Sequence, residues 1–299
     1  MHNAIDFSAF RELRVQLPFK NFSVKYVVEG CEHYTLNGHR YSVRAGQYLL
    51  ANQFTEGFVE IESAQPVKGM CISLAPQLMM EAVASHLQPG TPYPDLALDR
   101  FFSTPDFLEN QYAADLTNAG KMLRHIERQG THWPDTTALS APAALTKELC
   151  FDLAGRIVAD HVPVFRQLQA IKSVKFATRK DLFRRIANGK EYLDAHFAEP
   201  LDVATAARAG CLSEYHFFRL FKAVHGLSPY RYILRKRLEK AVDRLREGRV
   251  SLAGIAEESG FADIHAFSKA FKNGMGVSPR AYLRNAGEVA LYDRNQTHI

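Results

Sequence analysis

The sequence predicts an α+β protein, with a β-rich N-terminal part and an all-α C-terminal part. From Phe22 to Leu74, short runs of alternating apolar and polar residues are separated by turn residues, which is typical of half-buried antiparallel strands. Between Leu201 and Tyr282 the apolar residues instead follow helical spacing, and one pattern of residues occurs twice. At 299 residues the chain is long enough for two domains, each with its own core.

The composition is that of an ordinary globular chain, with an apolar fraction of 46%. The four cysteines are scattered without a C-x-x-C pair, which indicates neither a disulfide framework nor a zinc site and suits a reducing compartment. No apolar run has the length of a membrane span, and the first residues do not resemble a signal peptide. We therefore expect a cytoplasmic protein without a membrane partner.

The positive charge is concentrated in the C-terminal part. From Arg179 to the end, 21 Lys or Arg residues face 14 Asp or Glu, whereas the preceding residues contain 16 against 18. A basic surplus on one domain is what phosphate binding needs, although a solvated basic surface would give the same count.

The N-terminal part is predicted to start with a short helix over Phe7–Arg14. The strand pattern follows, and Asn37-Gly38 is a strong signal for a tight hairpin turn. Several short strands joined by regular turns indicate an antiparallel barrel or sandwich. The predicted strands are Phe22–Val28, Tyr34–Leu36, Arg40–Val43, Gln47–Ala51, Phe58–Ile61 and Lys68–Leu74.

Helical spacing follows the strands, over Gln77–Leu87, Asp115–Gln129 and Ala141–Val162. A further helix, capped by Thr178 or Asp181, is predicted to reach Asp194. Three phenylalanines between these segments are expected in the core: Phe101, Phe102 and Phe107. The long third helix has an apolar stripe that suits packing within its own domain and contact with a second copy equally well: Leu145, Leu149, Leu153, Ile157 and Val158.

The duplicated unit has a period of fifty residues: Phe221-Lys222 recurs as Phe271-Lys272, and Ser228-Pro229 as Ser278-Pro279. Each copy is predicted to contain a short helix, a glycine turn and a second helix. Asp202 and Ser213 are suited to cap the two helices of the first copy, and Gly210, paired with Gly260, is expected to take a positive φ at the turn. Helix, turn and helix is the motif whose second helix enters the DNA major groove.

These motifs resemble the DNA-binding domain of the AraC/XylS family of bacterial transcription regulators. The resemblance covers the last third of the chain, and the run from Ile255 through Gly276-Val277-Ser278-Pro279 to Tyr282 is its most specific part. It implies two motifs held by a linking helix and reading successive major-groove segments. We expect this domain over 178–299, with the first motif at about 201–230, the linking helix at 229–247 and the second motif at about 251–282.

A second, weaker resemblance concerns Tyr34–Val43 and Ala45–Leu50, which are similar to the cupin-like sensory domain of many AraC-family regulators. It implies a ligand-sensing and dimerisation domain over 1–177, with an antiparallel barrel at about 20–75 and flanking helices at about 76–170. Cupin enzymes hold a metal through an H-x-H motif, which this sequence lacks; His33 and His39 are expected on the hairpin surface. We therefore expect no metal, no cofactor and no catalytic residues.

The resemblance implies base contacts from the start and middle of each second helix. On this chain the implied base-reading residues are Tyr215, Phe218, Arg219, Ile264, His265 and Lys269. Arg219 suits the two acceptors of a guanine, while Phe218 either contacts a thymine methyl group or belongs to the core. The residues predicted to hold phosphates are Ser213, Lys222, Lys236 and Lys272.

The sequence thus predicts a DNA-binding transcription regulator controlled by a small molecule in the N-terminal barrel. Its expected partners are an operator in double-stranded DNA, a small-molecule effector, a second copy of the chain and, by family resemblance, RNA polymerase. Two alternatives remain open: a metal-dependent cupin enzyme fused to a DNA-binding tail, and a barrel that serves only protein–protein interaction. No hydrolase or nucleotide-binding motif is present.

Overall fold

The computed structural model describes residues 3–86, 95–129, 138–139, 146–173, 175–247 and 251–284. The chain divides into two compact units, Met1–Arg166 and Gln167–Ile299. In the described part of the chain, no helix combines the length and the apolar character needed to cross a bilayer.

The first unit is built on an antiparallel β-barrel that is nearly closed. Its strands follow the order β4-β3-β6-β2-β5-β7, while β1 pairs with both β6 and β8. All of these pairings are antiparallel. The strands are β1 (Ala4–Pro18), β2 (Phe22–Glu29), β3 (Cys31–Leu36), β4 (His39–Arg44), β5 (Gln47–Ala51), β6 (Glu56–Leu74), β7 (Asn110–Ala113) and β8 (Ala138–Leu139).

Two of the predicted segments differ in the structure, and β7 and β8 were not predicted. Phe7–Arg14 is not a helix but part of β1, which pairs with β6 along its length, so sheet hydrogen bonds override the local helix-forming composition. The two strands predicted at Phe58–Ile61 and Lys68–Leu74 are one 19-residue strand, β6. Its register with β1 shifts between Phe10 and Glu12, so the break in the sequence pattern marks a bulge.

The two faces of the sheet have separate cores. Side chains on one face form the core inside the barrel, and they include Val27, Leu36, Val59 and Ile61. On the other face Phe22 lies against Phe102 and Phe107, with ring centroids 6.2 and 5.0 Å away. The core positions predicted for Phe101, Phe102 and Phe107 are confirmed, since none is more than 2% exposed.

Four α-helices and one short 3-10 helix belong to the described part of the first unit. They are α1 (Pro76–His86), α2 (Asp95–Ser103), the 3-10 helix Ala114–Leu116, α3 (Asn118–Gln129) and α4 (Lys147–Ala170). The last four residues of α4, from Gln167, are assigned to the second unit. Helix α4 continues past the predicted end at Val162 and contains Pro163. Its stripe of Leu153, Ile157 and Val158 is buried within a single copy, so these residues pack inside the protein and are not exposed for a dimer contact. The predicted start, 141–145, lies outside the described residues.

The second unit is all-α. Its helices are α5 (Phe176–Ala195), α6 (Val203–Ala209), α7 (Glu214–His225), α8 (Pro229–Glu247), α9 (Leu252–Glu258) and α10 (Ile264–Met275). The caps predicted for α5 are wrong, because the helix starts at Phe176 after Lys175, whose side chain makes no cap hydrogen bond. The predicted fold class, a barrel with flanking helices followed by two helix-turn-helix motifs and a linking helix, is confirmed.

Candidate nucleic-acid interface

The first helix-turn-helix consists of α6 and α7, and its helix ends follow from local sequence. The Asp202 carboxylate accepts a hydrogen bond from the Thr205 backbone N–H at 3.0 Å, and the Ser213 hydroxyl accepts from the His216 N–H at 3.3 Å. These bonds satisfy N–H groups that the helices leave without partners. Gly226 ends α7 with a φ of 72°.

The turn between α6 and α7 departs from the prediction. Gly210 has a φ of −88°, and the positive φ of 52° belongs to Cys211. Gly210 is nevertheless suited to its place, because an added Cβ would lie 2.3 Å from the Arg185 carbonyl oxygen. The glycine therefore provides space for a close approach of the backbone and not a left-handed conformation.

The second motif, α9 and α10, repeats the first with one extra turn residue. Ser251 caps α9, and Ser259 and Gly260 occupy the places of Gly210 and Cys211, an offset of 49. Helix α10 then follows α7 at an offset of 50. The sequence pairing of Gly210 with Gly260 is therefore wrong by one position, because the insertion in the turn is invisible to a search at one fixed period.

Asp263 holds the start of α10. Its carboxylate accepts hydrogen bonds from the N–H groups of Ala266 at 2.7 Å and His265 at 2.8 Å. These two hydrogen bonds lower the pKa of Asp263 below its ordinary value, and the one from Ala266 has the larger effect. The start of the predicted reading helix is thus fixed by a stable carboxylate cap.

Helix α8 belongs to the cores of both motifs. Near its start, Tyr232 and Ile233 are buried with Phe217 and Phe221 of α7. Further along, Leu238, Ala241 and Leu245 are buried with Phe267 and Phe271 of α10. Because one continuous helix contributes to both cores, the two motifs are fixed relative to each other. A domain that binds successive major-groove segments of DNA requires such a fixed arrangement.

A short segment before the first motif adds a second link. Arg237 of α8 donates to the carbonyl oxygens of Phe197 at 2.7 Å and Glu199 at 2.6 Å. Between them, the Ala198 carbonyl oxygen lies 2.4 Å from where a Cβ on Gly260 would stand. Arg237 therefore has a structural role, because backbone carbonyl groups accept the hydrogen bonds of its guanidinium.

Most of the predicted base-reading residues lie on the exposed faces of the two second helices. On α7, Tyr215 is 77% exposed and Phe218 is 36% exposed, so Phe218 is not a core residue. Arg219, His265 and Lys269 are exposed as well, and Ile264 is half-buried. The opposite faces are buried, with Phe217, Leu220, Phe221 and Val224 on α7 and Phe267 and Phe271 on α10.

The cations on these exposed faces are available to contact a ligand. Arg219 and Lys222 on α7, and Lys269 and Lys272 on α10, have no hydrogen-bond or ion-pair partner among the described residues. By contrast, Arg235 and Arg244 of α8 have acidic partners. Unpaired cations that recur at equal spacing on both helices are suited to contact a polyanion.

Lys236 differs from the other predicted phosphate contacts. Its ammonium lies 3.1 Å from the Asp194 carboxylate, whereas Ser213, Lys222 and Lys272 are exposed. Burial opposes the charge on Asp194, but hydrogen bonds from Lys190, Tyr232 and Lys236 outweigh it and lower its pKa. Sequence reasoning missed this cluster between α5 and α8; its only local signal is the i,i+4 pair of Lys190 and Asp194.

The comparisons with known proteins concern the same region. Residues 206–285 match the family model described as a helix-turn-helix domain. The chain is 34% identical over 91 residues to the probable transcriptional regulator LumQ of Photobacterium leiognathi, covering 30% of this chain and 37% of that protein. It is 34% identical over 100 residues to a putative AraC-like transcription regulator of Streptomyces antibioticus, with 33% of each protein covered.

One similar solved structure is the C-terminal domain of AraT, a response regulator from Geobacillus stearothermophilus. The sequence identity is 31% and the TM-score is 0.34. The match covers 35% of this chain and 87% of that chain. The chain spans about a third of the length of the two curated relatives named above. The fold and the family match define the C-terminal region as a helix-turn-helix DNA-binding domain. The resemblance of this region to the AraC/XylS family is confirmed.

Proposed function

We propose that this protein is a sequence-specific DNA-binding transcription regulator of the AraC type. The observation that carries the proposal is the set of unpaired cations and exposed aromatic side chains on α7 and α10, which α8 holds in one rigid domain. Neither catalysis nor a protein–protein contact requires two such faces. In DNA binding, each face would fill one of two successive major-groove segments.

In this proposal the base edges are read by Tyr215, Phe218, Arg219, Ile264, His265 and Lys269. Arg219 donates to a guanine and Phe218 contacts a thymine methyl group. Ser213, Lys222 and Lys272 hold phosphates and fix the register of the domain on the duplex. Lys236 would join them only by giving up its ion pair with Asp194.

The first unit is proposed to bind a small-molecule effector and to join two copies of the chain. The effector would have to bind one arrangement of the paired DNA-binding domains more tightly than another in order to control them. Recruitment of RNA polymerase would then follow from the position of the dimer at a promoter.

Among the described residues, no group of three or more His, Cys, Asp or Glu side chains is arranged to hold a metal ion. The exposed His33 ring pairs instead with the Ser42 hydroxyl at 3.0 Å.

The test is selection of binding sites by the full-length protein from a library of random DNA duplexes. We expect an enriched sequence with two specified segments about one helical turn apart (roughly 10 base pairs) on one face of the duplex. Footprinting of that sequence would then show protection of both segments. Enrichment of no sequence, or of a single segment without its neighbour, would refute the proposal.

A further inference from the structure

The barrel of the first unit contains a cavity of about 370 Å³ bordered by β1, β2, β3 and β6. This is the volume of about a dozen water molecules at about 30 Å³ each. Val15, which is 43% exposed, lies at its rim. Most of the wall is apolar and is formed by Phe10, Leu13, Leu17, Val59, Ile61 and Met70.

One end of the cavity is polar, and its residues come from the four strands that border it. In the sheet register Cys71 of β6 stands between Asp6 of β1 and Lys25 of β2. The Lys25 ammonium donates a hydrogen bond to the Cys71 sulfur at 2.7 Å. Glu32, which is 6% exposed, accepts a hydrogen bond from the Tyr34 hydroxyl at the same end.

The charge on Lys25 is retained in this setting. Burial works against it, but Cys71, Glu32 and Asp6 outweigh burial and raise the pKa of Lys25. In the described part of the chain Cys71 is its single hydrogen-bond acceptor, so an ammonium with three N–H donors can still donate to a ligand.

The net charge of this polar end decides which ligand can occupy it. Lys25 contributes one positive charge. Burial raises the pKa of both Asp6 and Glu32, but Asp6 is only half-buried and faces Lys25, which opposes the rise. Asp6 therefore contributes one negative charge, and Glu32 adds a second when it is ionised. In neither state is the sum positive. A carboxylate or phosphate would therefore find no net positive charge to offset the loss of its hydration, because the one cation is already shared with two acidic neighbours.

We propose that this cavity binds an uncharged molecule of about a dozen non-hydrogen atoms, whose hydroxyl or carbonyl oxygen accepts a hydrogen bond from Lys25. Its apolar body would lie along Phe10, Val59 and Ile61. The proposal deepens the proposed function, on which it rests only in treating this ligand as the effector; binding itself can be measured without DNA.

The experiment titrates the full-length protein at pH 7.5 with 1-decanol or with decanoate and follows binding by isothermal titration calorimetry. The two molecules match the proposed size, have nearly equal length and differ in charge. We expect 1-decanol to bind at least about tenfold more tightly than decanoate. Equal affinity, or tighter binding of decanoate, would overturn the proposal.

Two variants test the charge argument and the location. Asp6→Asn removes one negative charge with little change of shape, so decanoate should gain about tenfold in affinity while 1-decanol changes less than about twofold. Val15→Trp places a large side chain at the half-exposed rim and should prevent binding of both molecules. An unchanged ratio in Asp6→Asn, or unchanged binding in Val15→Trp, would contradict the assignment of ligand class or of site.

The same proteins are tested for affinity to the selected DNA duplex in the absence of any ligand. Loss of ligand discrimination with DNA binding intact would refute the cavity proposal alone. Failure of the unliganded wild-type protein to bind any selected duplex would refute the regulator proposal and leave the cavity measurement standing. Thermal melting of each variant shows whether the barrel remains folded.

Discussion

The role of a single side chain in the DNA-binding domain follows from what already contacts it. Arg237 has a structural role, because two backbone carbonyl groups accept its hydrogen bonds. Arg219 and Lys222 are one turn apart on α7, and neither has a partner among the described residues. These two cations still differ in chemistry, because the planar fork of Arg matches a guanine edge whereas the ammonium of Lys acts as a point charge.

This difference predicts two distinct phenotypes on the selected DNA sequence. Arg219→Ala should weaken binding by about 1–3 kcal/mol and relax the preference at one base pair. Lys222→Ala should weaken binding to all sequences and reduce the slope of log K against log salt by about one. Binding to specific and random duplexes over a range of salt concentrations measures both. Equal losses on random DNA for the two variants would show that the roles are wrongly assigned.

Cys211 allows a prediction about stability at the turn of the first motif. It is exposed and adopts a φ of 52°, which costs an ordinary residue about 1–2 kcal/mol. Cys211→Gly relieves this strain but adds freedom to the unfolded chain, so we expect a net gain of about 0.5–1 kcal/mol. The free energy of unfolding from urea titration measures it.

Gly260 occupies the equivalent place in the second motif and provides the matched control. Its φ is 79°, and an added Cβ would lie 2.4 Å from the Ala198 carbonyl oxygen. Gly260→Ala should therefore destabilise the domain by at least about 1–3 kcal/mol. Destabilisation by Cys211→Gly, or a neutral Gly260→Ala, would contradict the structural pairing of these positions.

The secondary-structure elements differ in how far the sequence could predict them. The helices of the two motifs were predicted well, because Asp202, Ser213 and Gly226 are local signals that act within a few residues. Strand β1 could not be predicted, because its extended conformation depends on pairing with β6, whose partner residues lie roughly 40 to 70 positions further along the chain. The same holds for Lys236, whose partner Asp194 is on another helix and whose charge alone resembled that of Lys222.

Helix α4 is joined to β7 by a buried histidine, and this contact makes the first unit sensitive to pH. The Tyr112 hydroxyl lies 3.0 Å from His161 Nε2, and His161 Nδ1 lies 2.7 Å from the Ile157 carbonyl oxygen. Burial lowers the pKa of His161 to about 4, despite the opposing effects of Ile157 and Asp160. Folding therefore requires this ring to stay neutral.

The sign of the pH effect follows from the protonation of His161 in the folded unit and in the unfolded chain. Between about pH 6.5 and about pH 4 the unfolded chain binds a proton that the folded unit excludes, so stability falls as the pH falls, by up to about 1.4 kcal/mol per pH unit. His161→Gln should remove this part of the slope. Pulse proteolysis in urea, following peptides of the first unit, measures it. Slopes that remain equal for the two proteins below pH 6.5 would contradict the prediction; above pH 7 they should agree.

The chain as a whole combines two units with separate cores and different charge. The two cores of the DNA-binding domain draw on residues between Ile171 and Tyr282, all within the second unit. The residues from Arg179 onward also hold the basic surplus, 21 Lys or Arg against 14 Asp or Glu. From its own cores and its own excess positive charge we infer that this unit can fold and bind DNA without the first unit.

We therefore expect the fragment Gln167–Ile299 to fold alone and to select the same DNA sequence as the full chain. If the first unit joins two copies, as proposed, the fragment should lose affinity for a duplex with two sites by about 10²-fold or more, because the second domain is then no longer held nearby. On a duplex with one site, the two proteins should bind with equal salt dependence per bound copy. Circular dichroism and gel-shift titration measure folding and binding. An unfolded fragment, or one that selects a different sequence, would show that the first unit takes part in building the reading surface.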